Sequence, residues 1–190
     1  MNRLAFQSVS ISRVAPGNDI ASNVLPFLAR DSKAAKEAAY RLYTQACTLD
    51  DDPATYSQAE ALYERALTLD SRMSLAVTNL GNIAYHRNNP RLAVSFYHRA
   101  IAMDCRQPEA LYNLGYVVLE RGEVKQAILY FEQSIGSDPK FADAHFNLAE
   151  ALARTGQYER ARKHYERFIQ LDPLSEWAET ARENIERGSR

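Results

Sequence analysis

From residue 32 onward the apolar positions return every three or four residues, the spacing that lines one face of an α-helix. Tyr40, Tyr43 and Cys47 show it in "AAYRLYTQACTLD", and Leu114, Val117, Val118 and Leu119 show it in "NLGYVVLERG". The spacing predicts a first helix over residues 32–49, with Ser32 as its cap. A second helix would be capped by Asp52, with Pro53 in its first turn. Pairs then follow at 73–87 with 90–103, 107–121 with 123–136, and 141–155 with 157–171. Gly122 and Gly156 mark turns where a left-handed residue ends a helix, and Asp138-Pro139 and Asp172-Pro173 mark turns between pairs. Trp177, Ala181 and Ile185 recur at i, i+4 and i+8, while Glu179, Arg182, Glu183 and Glu186 lie mainly elsewhere. That final helix reads as a lid with Trp177 as its anchor.

The first 31 residues follow a different pattern. In "SVSISRV" serines alternate with Val9 and Ile11, which suits extended chain, and "APGND" and Pro26 discourage helix. A leader that stays clear of the helices is one expectation. A strap lying on them through Val24, Leu25, Phe27 and Leu28 is the other.

Gly115 sits inside an apolar helical run, where glycine costs roughly 1 kcal/mol relative to alanine. The same Asn-Leu-small triplet stands 34 residues earlier at Asn79-Leu80-Gly81 and 34 later at Asn147-Leu148-Ala149. From Pro108 the chain carries Leu111, Leu114, Gly115, Val118, Ala127, Phe131 and Pro139 at the slots of the tetratricopeptide pattern. From Ala142 those slots hold His145, Leu148, Ala149, Leu152, Ala161, Tyr165 and Pro173. From Ser74 they hold Val77, Leu80, Gly81, Ala84, Ala93 and Tyr97, with Cys105 in place of proline. Ala59, Tyr63 and Ala66 supply an earlier second-helix half. On these residues the chain resembles the tetratricopeptide-repeat (TPR) family over about its last four-fifths. The resemblance implies an all-α, right-handed α-solenoid of about four TPR helix-turn-helix units with a C-terminal capping helix. The domains expected are a leader over 1–31, a solenoid over 32–175 and a cap and tail over 176–190. The small residues then have a purpose: closely packed helices need Gly or Ala at the contact, with Ala93, Ala127 and Ala161 expected opposite.

The family resemblance also implies where a ligand would lie, because TPR first helices line a concave groove. The corresponding slots hold Leu75, Thr78, Asn79, Asn82, Tyr85 and His86 in one repeat, and Glu109, Tyr112, Asn113, Tyr116, Leu119 and Glu120 in the next. In the third they hold Asp143, Phe146, Asn147, Glu150, Ala153 and Arg154. An asparagine recurs at one slot as Asn79, Asn113 and Asn147, and an amide that both donates and accepts can grip a peptide backbone. Tyr85, Tyr112, Tyr116 and Phe146 would serve as aromatic anchors. TPR domains that hold an acidic C-terminus use lysine and arginine here, whereas Glu109, Glu120, Asp143 and Glu150 imply an apolar, basic peptide.

Composition narrows the alternatives. At 190 residues, 46% hydrophobic and 25% charged, the chain is ordinary globular material with enough length for a core. A net charge of −1 offers no bulk field for nucleic acid or anionic membrane, and no apolar run approaches a membrane span. "MNRLAFQSVSISRVAPG" lacks the apolar stretch of a secretory signal, so a cytoplasmic location is expected. Cys47 and Cys105 form no metal or redox spacing and read as small buried or half-buried residues. His86, His98, His145 and His164 fall on different repeat slots, and His145, at the consensus tryptophan slot, reads as a packed ring. With no phosphate loop, nucleophile elbow or HExxH pair, no enzyme, cofactor or metal is expected. The expected function is a scaffold that binds a partner protein or peptide, with a second copy of the chain as another partner. A sensing module of a bacterial transcription or signalling complex, resembling TPR modules joined to MerR-type DNA-binding domains, is the alternative. A non-catalytic subunit of an enzyme complex is a further one.

Overall fold

The computed structural model describes residues 32–188, so the leader and its strap residues lie outside the described part of the chain. All secondary structure among the described residues is helical, in two compact units that divide between Cys105 and Arg106. The division falls inside the single solenoid segment expected over 32–175.

The first unit holds α1 (Lys33–Ala46), α2 (Tyr56–Leu69), α3 (Ser74–His86) and α4 (Pro90–Met103). Ser32 caps α1 as expected, its Oγ accepting from the Ala35 amide at 3.2 Å. Helix α1 stops at Ala46 rather than Leu49, because the Thr48 and Leu49 amides turn back to the Gln45 and Ala46 carbonyls. Asp52 does not cap α2. Its carboxylate instead closes a local turn by accepting from the Ala54 amide at 2.9 Å, and α2 starts only at Tyr56. Ala35, Ala38, Ala39, Leu42, Tyr43 and Ala46 form one buried stripe on α1, in a common core with Ala59, Leu62, Tyr63 and Ala66 of α2. Pro90 opens α4, and the Asn89 side chain caps it by accepting from the Leu92 amide at 3.2 Å.

The second unit holds α5 (Pro108–Glu120), α6 (Val124–Ser137), α7 (Ala142–Arg154), α8 (Tyr158–Leu171) and α9 (Glu176–Gly188). Here α5 packs along α6, α7 along α8, and α9 closes against α8. The turns within pairs use positive φ at Gly122 (81°) and Gly156 (75°), as their sequence context indicates. Asn88, with φ 58°, makes the same turn 34 residues before Gly122, in the first unit. Asparagine tolerates this region because its short polar side chain bonds locally.

The buried glycines permit close helix contact, but the groups opposite them are rings rather than alanines. A Cβ on Gly81 would stand 2.5 Å from Tyr97 Cε1, and one on Gly115 would stand 2.8 Å from Phe131 Cε1. Ala93, Ala127 and Ala161 are buried on the second helices, yet the aromatic residue four positions later fills the space over Gly81 and Gly115. Cys47 is half-buried as expected, but Cys105 is exposed.

Candidate functional site

The groove residues lie on α3 in the first unit and on α5 and α7 in the second. On α3, Asn79 is fully buried, and its Nδ2 donates to Tyr63 Oη at 2.8 Å and to Asp50 Oδ2 at 3.2 Å. Tyr63 donates in turn to the same Asp50 oxygen at 2.5 Å. Asn82 accepts from the Tyr97 hydroxyl at 2.9 Å through its Oδ1, and Tyr85 is half-buried. These amides tie α3 to the α1–α2 connection and to α4.

Residues on α5 and α7 satisfy one another in the same way. Tyr112 is fully buried, its ring 5.8 Å from that of Phe131 and 4.9 Å from that of Phe141. Asn147, also buried, donates through Nδ2 to Tyr112 Oη at 2.8 Å and to the Asp143 carbonyl at 3.2 Å. Asn113 is fully buried as well. An open row of amides on an exposed face is therefore not what the fold presents. A buried tyrosine hydroxyl needs a partner, and a first-helix asparagine supplies it at Asn79 and Asn147.

Phe146 and Glu150 are engaged by the lid and its neighbour. The Phe146 ring meets Tyr165, Phe168 and Trp177 edge-on at 5.9, 5.1 and 5.5 Å. Glu150 accepts from the Tyr165 hydroxyl and, at 2.7 Å, from Asn184 Nδ2 of α9. Burial and this carboxylate push the Tyr165 hydroxyl well above the usual phenol range. Phe146 is thus a core ring under a lid rather than an open anchor. Trp177 does anchor α9, with Ala178 and Ala181 fully buried beside it and Ile185 half-buried. Of the remaining groove residues, Tyr116 is buried, Glu109 half-buried and Glu120 exposed.

The sequence did not bring two histidines together, but the structure does. His145 and His164 face each other with Nδ1 atoms 3.0 Å apart, and His145 Nε2 lies 3.2 Å from the Pro139 carbonyl. A carbonyl only accepts, so His145 carries its proton on Nε2, and His164 Nδ1 donates to His145 Nδ1. Burial, followed by the neighbouring His145, holds His164 down to about 4. Both rings are neutral at pH 7, and the described residues contain no group of three metal-ligating side chains around them. The helical period could have found this pair only by matching His145 on α7 to His164, 19 residues on, across a turn.

Asp50 is a strongly perturbed carboxylate. Burial lifts it to about 6 against the opposing hydrogen bond from Tyr63, and its Oδ1 has no hydrogen-bond partner among the described residues. A raised folded value means that this group's contribution to stability is complete below about pH 4 and is lost as pH rises through 6. Asp50→Asn keeps an oxygen for Tyr63 and Asn79 and removes the buried charge. We expect it to melt above the parent at pH 7.5, by roughly 1–2 kcal/mol, with the gap closing toward pH 4. Because His164 titrates in both proteins, the difference between their melts isolates Asp50. A gap that does not change with pH would refute the assignment.

A family model described as tetratricopeptide repeat matches residues 55–104, 78–140 and 112–176. The comparison with curated proteins finds no match. Among solved structures, the chain is similar to PilF of Pseudomonas aeruginosa, with TM-score 0.69 and 18% identity over 82% of this chain and 78% of that one. It is similar to the MamA protein, with TM-score 0.57 and 20% identity over 79% and 87% of the two chains. It is also similar to the first TPR of Spaghetti (RPAP3) bound to the HSP90 peptide SRMEEVD, with TM-score 0.57 and 19% identity over 63% and 95%.

Proposed function

Because the chain belongs to the tetratricopeptide-repeat family, we propose that it is a non-enzymatic interaction module that binds a partner peptide along α5 and α7. The supporting observation is the sign of charge at the groove slots of α5 and α7. Glu109, Glu120, Asp143 and Glu150 stand there against one cation, Arg154. Asp143 is buried and Glu150 accepts from Asn184, whereas Glu109 is half-buried and Glu120 exposed, and we assign these last two to the ligand. The Spaghetti domain is bound to a peptide ending in Glu-Glu-Val-Asp; the charge here suits the opposite ligand, apolar and basic. Asn147 then acts by holding α5 and α7 together through Tyr112, and Glu109 and Glu120 make the contacts. None of the helices among the described residues is long and apolar enough to cross a membrane. An exposed free thiol at Cys105 favours a reducing compartment, and we place the protein in the cytoplasm.

Fluorescence anisotropy tests this with two labelled peptides, SRMEEVD and a counterpart ending in Lys-Lys-Val-Lys. The basic peptide is expected to bind about tenfold more tightly at low salt and to lose that advantage as salt rises. Replacing Glu109 and Glu120 together by lysine should abolish the preference. If SRMEEVD binds as well as its basic counterpart, the charge reading is wrong.

A further inference from the structure

We propose that the histidine pair between α7 and α8 is a binding site for a divalent transition-metal ion, nickel(II) above all, ligated by His145 Nδ1 and His164 Nδ1 with waters completing its shell.

The first observation is spacing. The fold sets the two Nδ1 atoms 3.0 Å apart, with the ring centroids at 5.2 Å. With metal–imidazole bonds of about 2.0–2.1 Å, nitrogens at that separation subtend roughly 90–100° at the ion, whereas a tetrahedral ion wants about 109°. Angles near a right angle belong to the tetragonal nitrogen sites of nickel(II) and copper(II). The reducing compartment assigned above turns copper into softer copper(I), which favours sulfur ligands. Nickel(II) is left as the better fit.

The second observation is how His145 is held. Its Nε2 donates to the Pro139 carbonyl at 3.2 Å, which leaves the lone pair on Nδ1. Metal-ligating histidines carry this same outer hydrogen bond, which fixes the tautomer and the ring. His145 is buried, so its ring is oriented before an ion arrives. His164 is half-buried, so solvent reaches its ring and can supply the remaining ligands. On binding, His164 gives up the proton on Nδ1 and takes one on Nε2. The ring stays neutral and no electron moves.

Charges around the pair come close to cancelling. Asp138 and Arg167 act on His145 with opposite signs. Arg160, which acts on His164, is itself paired with Glu132. A dication therefore meets little net positive charge, and once seated it would tie α7 to α8.

The test titrates the full, tag-free chain with Ni²⁺ in a calorimeter and melts it with Ni²⁺ or Mg²⁺. A single Ni²⁺ is expected per chain, with a rise in Tm of about 3 °C or more near saturation. Mg²⁺, which seeks oxygen ligands, should do nothing. His145→Ala and His164→Ala should each weaken Ni²⁺ binding by about tenfold or more. Because either change could loosen the α7–α8 contact, His164→Gln is the decisive variant. Its amide can still donate to His145 Nδ1 but offers no imidazole lone pair. It should melt like the parent without metal and lose both the binding and the Tm shift. His86→Ala with His98→Ala should leave both intact. If the parent takes up no Ni²⁺, if His164→Gln binds as tightly, or if the His86 and His98 changes remove the binding, the proposal is overturned.

Discussion

Gly115→Leu is expected to lose about 3 kcal/mol of stability, at the upper end of the range for overpacking a core. Any Cβ at this position would lie 2.8 and 2.9 Å from Phe131 Cε1 and Cδ1, and 3.2 Å from Tyr130 Cβ. Phe131 cannot swing aside cheaply, because it is itself fully buried against Tyr112. The added side chain therefore has to push α5 and α6 apart. Gly136→Ala provides the contrast on α6. No atom lies within 4 Å of its would-be Cβ, so relief of backbone entropy should raise stability by roughly 0.5–1 kcal/mol. Denaturant melts of the two variants decide the matter. If Gly115→Leu unfolds at the midpoint of the parent, the close approach of α5 and α6 is not required.

Removing residues 174–190 should be more damaging still. Helix α9 supplies the Trp177 ring over Phe146, the buried Ala178 and Ala181, and the Asn184 amide on Glu150. Without it, Phe146 and Phe168 meet water, and a terminal repeat without a polar outer face loses solubility. The truncated chain is expected to bind a hydrophobic dye and to aggregate at concentrations where the parent is monodisperse. Trp177→Ala keeps the helix and removes only the ring contact, so it should destabilise by about 2 kcal/mol without aggregation. A truncated protein that stays soluble and melts like the parent would reduce α9 to an appendage.

How much of this was legible beforehand differs sharply between the fold and the site. The helix bounds from residue 73 onward were readable within about a residue, because Pro90, Gly122 and Gly156 act on their own backbone. The start of α2 was misplaced, since Asp52 had two local uses, a helix cap or a turn, and the connection chose the turn. Asn88 went unnoticed as a turn residue although it occupies the slot of Gly122 one repeat earlier. Among the groove residues, the identity of the slots was readable but their exposure was not. Asn79 is committed to Asp50 and Tyr63, Asn147 to Tyr112, Glu150 to Tyr165 and Asn184, and Phe146 to Trp177.

The sequence by itself determined the helices, their pairing and the 34-residue register. Turn residues, caps and apolar spacing act within a few positions of the backbone, and every repeat states them again. Only the tertiary structure decided whether an asparagine or tyrosine in a groove slot faces a ligand or a neighbour. Tyr63 and Asn79 lie 16 residues apart, Tyr112 and Asn147 lie 35 apart, and Glu150 and Asn184 lie 34 apart. Each side chain has its own polar demand, but what meets that demand comes from another helix. Burial depends on that helix, and no local pattern around Asn79 or Tyr112 records it.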